Sequence, residues 1–422
     1  MAARSGAVRT FTARTPWSGR TRRQSVREEA NYAQPEPTVN LQRAINIGQH
    51  LNTFTGEVIG DAYIPLPTKR GTNESITVEG PSGTGKSIVI RRLIEYYSLE
   101  EHRCVIVVDP TKNQYRSLKR PQNRSDMLQE LRKVGLNPVS IPDVEVYVPI
   151  YDIPVLTWQV LQRDWEATKA FSIRTSGLTA SGFFELGDKE PAGRDFQRYL
   201  EKIMNVPRAQ KTIRYIMSEL YALHAQRSTG RSADSLINIF EPLCDMGIIR
   251  DDGTDVMEML HPPRKNQPGK VSVISLGTVP KDRRRDALLS NLIQQLFEAV
   301  RDDKTIRPVF VIDETKQFAP REKGEHKTTR DALANFNVLV RAWDCTRIWG
   351  FQYPDQVEDS LIGDNSTINI KMSNELPIAP PEGGVRYIHD VGLSHVFVQG
   401  VGGEQSMDFY AKWLPCGTEH VD

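Results

Sequence analysis

Residues 77–93, TVEGPSGTGKSIVIRRL, contain side chains whose types and order suit phosphate chemistry. Gly80, Pro81, Ser82, Gly83, Thr84, Gly85, Lys86 and Ser87 fit G-x-x-x-x-G-K-[ST] without a mismatch. Gly83 and Gly85 let the backbone take positive φ and turn successive N–H groups onto phosphate oxygens. A helix starting near Lys86 would add its positive N-terminal end. The Lys86 ammonium would reach the β- and γ-phosphates, and the Ser87 hydroxyl would hold Mg²⁺. A second run, VFVIDE at 309–314, stays apolar until it ends on two acids. Asp313 at such a strand end would enter the same Mg²⁺ shell. Glu314 would orient and deprotonate an attacking water.

Three further residues each have two readings. Asp109 ends an apolar run just before Pro110, as a site carboxylate or as a turn former. Gln352, in GFQYP, is either an amide that senses the γ-phosphate or a polar cap ahead of Pro354. Arg341, in VLVRAWD, is either an exposed helical arginine or a guanidinium delivered to a neighbouring subunit's γ-phosphate.

The elements that must hold these residues follow from periodicity. Ile76 and Val78 alternate with polar neighbours, predicting a strand before the loop. Ile88, Val89, Leu93, Ile94 and Tyr97 recur at helical spacing after it. Buried strands are expected at 105–108, near 144–154, at 270–277 and at 309–312, with more in TRIWGFQYP and TINIKMS. Leu288, Leu289, Leu292, Ile293, Leu296, Phe297 and Val300 share one helical face. ALANFNVLVRAWD is helical, and SHVFVQGVGGEQ reads as a hairpin. LTWQVLQRDWEATKAF, RDFQRYLEKIM, AQKTIRYIMSELYALHAQ and ADSLINIFEPLCDMG read as amphipathic helices. Alternating strands and helices make this an α/β fold: a RecA-like P-loop NTPase core with a mostly parallel sheet flanked by helices, plus a helical insertion. Ligands then sit at the carboxyl ends of the strands. The expected divisions are a basic arm at 1–40, the first part of the core at 41–154 with a few edge strands at 41–70, the helical insertion at 155–262, and the rest of the core at 263–422.

The net charge of +1 leaves nucleic-acid binding to a local basic stripe. Cys104, Cys244, Cys345 and Cys416 are scattered, which argues against a zinc site or a disulfide framework and for a reducing compartment. That compartment is read as the cytoplasm, with a virus-encoded or organellar location left open. No apolar run suits a membrane span. Arg4, Arg9, Arg14, Arg20, Arg22, Arg23 and Arg27 all precede the first acid, Glu28. They read as a basic arm for nucleic acid, a tail without a role, or a transit peptide.

Taken together, these residues resemble the HerA–FtsK superfamily of hexameric DNA-pumping ATPases, and HerA most of all. The resemblance covers about 75–115 and 270–375. It rests on the P-loop, on VIVVDPTKNQY, on the run from VSVISLG through FVIDETKQFAP, on Arg341, and on Gln352-Tyr353-Pro354 with DNSTINIKM beyond. It implies ATP with Mg²⁺, active-site roles for Asp109 and Gln352, and a trans-acting Arg341. It also implies a homohexamer with double-stranded DNA through its pore, and a possible nuclease or other protein partner. The chain departs from the family in several places. With the loop starting at residue 80 and a tail-like segment taking about half of what precedes it, the usual β-barrel is expected to be absent or reduced, which puts nuclease docking in doubt. Only the Arg survives of Gly-Arg-Lys at Val340-Arg341-Ala342, and Thr315-Lys316 replaces Ala-His. A barrel-less motor also resembles viral genome-packaging ATPases and the ATPases of conjugation machines. A nucleotide-dependent switch or assembly protein, and a conjugation or secretion-type ATPase, stand as the other readings.

Overall fold

The computed structural model describes residues 43–66, 74–110, 114–149, 169–180, 183, 194–226, 229–260, 267–277, 283–322, 327–362, 366–379, 383–399 and 406–420. The basic arm and most of LTWQVLQRDWEATKAF lie outside the described residues.

The described strands are β1 (Ala44–Leu51), β2 (Val58–Pro65), β3 (Ser75–Glu79), β4 (Val105–Asp109), β5 (Val144–Pro149), β6 (Lys169–Phe171) and β7 (Ile173–Arg174). They continue with β8 (Ile249–Arg250), β9 (Val271–Ser275), β10 (Val309–Ile312), β11 (Thr346–Phe351), β12 (Ile368–Ile378), β13 (Arg386–Val398) and β14 (Met407–Trp413). The described α-helices are α1 (Lys86–Glu95), α2 (Ser125–Lys133), α3 (Arg194–Met204), α4 (Ile213–His224), α5 (Gly230–Asp245), α6 (Val256–Met259), α7 (Arg283–Asp302) and α8 (Lys327–Leu339).

Among the described residues one sheet of 12 strands runs in the order β2-β1-β14-β13-β12-β3-β11-β10-β4-β9-β5-β6. Every pairing from β12 to β6 is parallel. The other end is an antiparallel wing of β13, β14, β1 and β2. The parallel strands read as continuous apolar runs because helices cover both of their faces. Val105, Val107, Val309 and Val311 belong to one core with α1, packing with Val89, Leu93 and Ile94. Ile106, Val108, Phe310 and Ile312 belong to the other, with α7 and α8.

The three helices expected at 194–245 share that second core: Phe196, Leu200, Leu220, Leu236 and Phe240 join the same apolar cluster as the strands. Thr212 starts α4 as an N-cap, its hydroxyl accepting from the Tyr215 N–H at 3.2 Å.

Several expectations need correction. Lys169, Ala170 and Phe171, read as the end of a helix, form β6, because pairing with β5 decides their backbone. Ile88 is half-buried, and Ile90, two residues on and about 200° round the helix, lies in the core instead. Of the strands expected at an edge, β2 is one. β1 lies inside the sheet, paired with β14 from the far end of the sequence. Among the described residues no helix is long and apolar enough to cross a membrane.

Candidate functional site

The sheet order places β3 between β12 and β11, and β10 on the far side of β11. The loop after β3 and the acids after β10 therefore meet across the carboxyl end of β11. Gly80 N–H donates to the Phe351 carbonyl at 3.2 Å, which fixes the loop against that strand end. Gly83 and Gly85 have φ of 82° and 97°, the conformation that aims consecutive N–H groups inward. The Thr84 hydroxyl braces the turn by donating to the Pro81 carbonyl at 2.9 Å. Lys86, almost wholly buried, donates to the Gly80 carbonyl at 2.8 Å and the Pro81 carbonyl at 3.2 Å, so its ammonium lies over the loop. Pro81, Ser82 and Gly83 are exposed at the rim.

Ser87 and Asp313 come together: the Ser87 hydroxyl donates to Asp313 Oδ2 at 3.3 Å. An all-oxygen pair of this kind suits Mg²⁺, a hard cation. Asp313 Oδ1 accepts from the Glu314 N–H at 2.9 Å. Glu314 has φ 57° and ψ 46°, a left-handed conformation that costs a non-glycine residue about 1 kcal/mol or more. Gln352 Nε2 stands 3.5 Å from Glu314 Oε1, so the amide after β11 faces the second acid. Asp109 is buried at the end of β4, and Oδ2 accepts from the Tyr115 N–H at 3.3 Å.

Arg341 precedes β11, whereas the cluster lies at the carboxyl end of that strand. It lies half-buried in the 3-10 turn Val340–Ala342, ahead of the first residues of β11. Burial, with the Arg341 charge nearby, pulls Arg347 down to about 10. Arg347 pairs with Ser75, at the start of the strand that ends in the phosphate loop. Five residues of strand, about 16 Å, separate that level from the loop.

The site also uses residues that spacing did not single out. The Tyr115 hydroxyl donates to Asp313 Oδ2 at 2.9 Å. Burial, together with the nearby Asp313 and Asp109 charges, raises Tyr115 well above the ordinary tyrosine range, so it stays a neutral donor. Arg285 at the start of α7 donates to the Pro110 carbonyl at 2.9 Å and to Gln317 Oε1 at 2.8 Å, tying the Asp109 turn to the segment after Glu314. Gly350 in β11 leaves room for Asp313: a Cβ there would stand 2.8 Å from Oδ1. Thr77 in β3 donates to Asn369 Oδ1 at 2.5 Å, joining the loop strand to DNSTINIKM. Glu79, the last residue before the loop, is raised above the usual carboxylate range by burial, which its 3.5 Å pair with Lys371 partly offsets.

The donor set fits a nucleoside triphosphate with Mg²⁺. Inward N–H groups and a lysine would hold phosphates, a hydroxyl and a carboxylate would hold the cation, and a second carboxylate stands beside them. No family model matches the chain, and no curated protein does. Solved structures give partial likenesses. The plasmid coupling protein TrwB in complex with a non-hydrolysable GTP analogue is 12% identical, with 81% of this chain and 85% of that chain covered, at a TM-score of 0.46. VirB4 of Thermoanaerobacter pseudethanolicus is 15% identical, with 86% and 95% covered, at 0.45. The genome packaging NTPase B204 from Sulfolobus turreted icosahedral virus 2 is 10% identical, with 81% and 98% covered, at 0.28.

Proposed function

We propose that this chain is an ATPase that moves double-stranded DNA, acting as a ring of identical subunits, six in the reading suggested by the HerA–FtsK resemblance. The observation that carries the hydrolase reading is the pair Asp313 and Glu314 at the end of β10. Asp313 is turned to Ser87, and Glu314 is held in a left-handed conformation opposite Gln352. Held there, the Glu314 carboxylate stands opposite Gln352 and next to the Ser87–Asp313 pair, where a base acting on water would serve. Mg²⁺, when bound, neutralises charge that develops on the phosphates. The loop N–H groups and Lys86 bind and orient the triphosphate. Ser87 and Asp313 hold the cation's position. Glu314 accepts a proton from water at its carboxylate oxygen, and Gln352 orients that carboxylate. Asp109 fixes the Tyr115 backbone, and Arg341, which precedes β11, serves a neighbouring subunit's site. The DNA part of the reading rests on the motif resemblance from 75–115 and 270–375.

Steady-state ATP hydrolysis tests it, with and without linear duplex DNA, for wild type and Glu314→Gln, with oligomer mass read in the same buffer. DNA-stimulated turnover by a ring is expected, falling at least about 100-fold in the variant while nucleotide still binds. ATP binding without turnover or response to DNA would replace the motor with a nucleotide switch.

A further inference from the structure

Residues 415–420 follow β14 and bind two parts of the nucleotide site from behind. Glu95, on α1 and 1% exposed, accepts from the N–H groups of Gly417 at 3.1 Å and Thr418 at 2.8 Å, and from the Thr418 hydroxyl at 2.8 Å. Arg91, one turn earlier and fully buried, donates to the Thr418 hydroxyl at 3.3 Å, the Ser117 hydroxyl at 3.0 Å and the Gln114 carbonyl. Its guanidinium lies 5.5 Å from the centre of the Tyr115 ring. Ser117 donates onward to the Glu419 carbonyl at 2.6 Å, and Gln122 Nε2 to the Thr418 carbonyl at 3.1 Å. The Gly417 carbonyl accepts from the Gln122 and Val139 N–H groups at 2.8 and 2.9 Å. A Cβ at Gly417 would meet Val139 Cγ2 at 2.6 Å, so this crossing admits only glycine without a shift.

The Thr418 hydroxyl is the hinge of this arrangement. It donates to Glu95 and accepts from Arg91, and so satisfies two buried charges on adjacent turns of the helix that leaves the phosphate loop. Through Arg91 and Ser117 the same residues grip the 3-10 turn Gln114–Lys119, whose internal hydrogen bonds are poorer than an α-helix's. That turn carries Tyr115, whose hydroxyl reaches Asp313 at 2.9 Å.

We propose that residues 416–419 form a strap that positions Tyr115, and that Tyr115 positions the Asp313 carboxylate, so that the strap sets affinity for the metal–nucleotide pair. The inference rests on the hydrolase reading of the site. Asp313 has one oxygen fixed by the Glu314 N–H, while the other receives Ser87 and Tyr115. Losing the Tyr115 donor lets the carboxylate turn away from the direction the cation needs, without removing a ligand.

The test is Mg²⁺ titration of a fluorescent ATP analogue, read as binding, together with amide deuterium exchange at 114–119. Thr418→Val keeps the shape and removes the hydroxyl, Thr418→Ser restores it, and Tyr115→Phe removes the last link. Thr418→Val and Tyr115→Phe are each expected to raise the half-saturating Mg²⁺ concentration about threefold to tenfold, the range one hydrogen bond carries. Nucleotide binding without Mg²⁺ stays within about twofold, and Thr418→Ser behaves as wild type. Exchange at 114–119 accelerates in Thr418→Val and not in Tyr115→Phe. If Thr418→Val does not fold, Ser117→Ala cuts the same grip more mildly and is held to the same criteria. A folded Thr418→Val with unchanged Mg²⁺ dependence and unchanged exchange overturns the strap. A wild type that binds no nucleotide overturns the hydrolase reading, and the exchange comparison still decides whether the strap holds the turn.

Discussion

Gly350 stands beside Asp313 with no room for a side chain: its Cβ would lie 2.8 Å from Asp313 Oδ1 and 2.9 Å from Ile90 Cδ1. Gly350→Ala must therefore push the acid or the P-loop helix. It is expected to cost about 1–3 kcal/mol in urea unfolding, the usual range for overpacking, and to weaken Mg²⁺-dependent nucleotide binding. Gly60→Ala, with nothing within 4 Å of its Cβ, is the control and should leave both unchanged. An equal effect at both positions would show that Gly350 does not serve the site. At this scale the sequence was informative wherever chemistry is written in consecutive residues. The loop from Gly80 to Ser87 and the Asp313-Glu314 pair are local patterns, and the fold brings them within 3.3 Å. Gly350 and Arg285 were not legible as site residues, and Tyr115 entered only as part of the VIVVDPTKNQY resemblance, with no role assigned. Their roles depend on which strands become neighbours, and that information lies in no short window.

Among the elements, α3 to α5 are the ones whose independence is in question. Phe240 on α5 is fully buried, with its ring 4.9 Å from that of Phe183, in the core that also holds Phe310 and Ile312 of β10. Phe240→Ala is expected to cost about 3–5 kcal/mol. If these helices share the sheet's core energetically as well as spatially, one cooperative unfolding transition will move as a whole. An early separate transition, with the remainder unfolding at the wild-type midpoint, would show an autonomous subdomain. The helices were legible because their apolar period of 3.6 is strong. β6 was not, since three residues carry no period of their own and take their backbone from β5. The pairing of β1 with β14 joins residues near opposite ends of the sequence, and no local pattern specifies a partner that distant.

At the level of the whole molecule, ionisable groups held neutral by burial set an alkaline limit. Burial pushes Cys104 and Cys345 to about 11 and Cys244 and Cys416 to about 12, from an ordinary value of 9.0. Tyr97 and Tyr115 move in the same direction. The folded chain thus binds more protons than the unfolded chain above about pH 9, so stability falls as pH rises from there. Urea midpoints at pH 8 and pH 10 should show that loss, and equal midpoints would contradict it. The end of the sheet opposite the phosphate loop depends on a different device. Glu74, 2% exposed, accepts from Arg43 at 2.7 Å, from Arg103 at 3.2 Å, from the Tyr97 hydroxyl at 3.1 Å and from the Thr346 hydroxyl. One carboxylate thereby joins the approach to β1, the starts of β3, β4 and β11, and the end of the P-loop helix. Glu74→Ala strands the Arg103 guanidinium, itself 2% exposed, without its counter-charge. Breaking one side of a buried pair costs about 3–5 kcal/mol, whereas a rim pair such as Arg250 with Asp252 contributes little. The expected result is a large fall in the unfolding midpoint for Glu74→Ala and none for Asp252→Ala. Nucleotide affinity of the folded fraction should not change, because the length of β3 separates Glu74 from the loop. A Glu74→Ala protein as stable as wild type would mean that water or neighbouring carbonyls replace the carboxylate. A folded variant with lost nucleotide affinity would mean that the two ends of the sheet are coupled through β3 and α1.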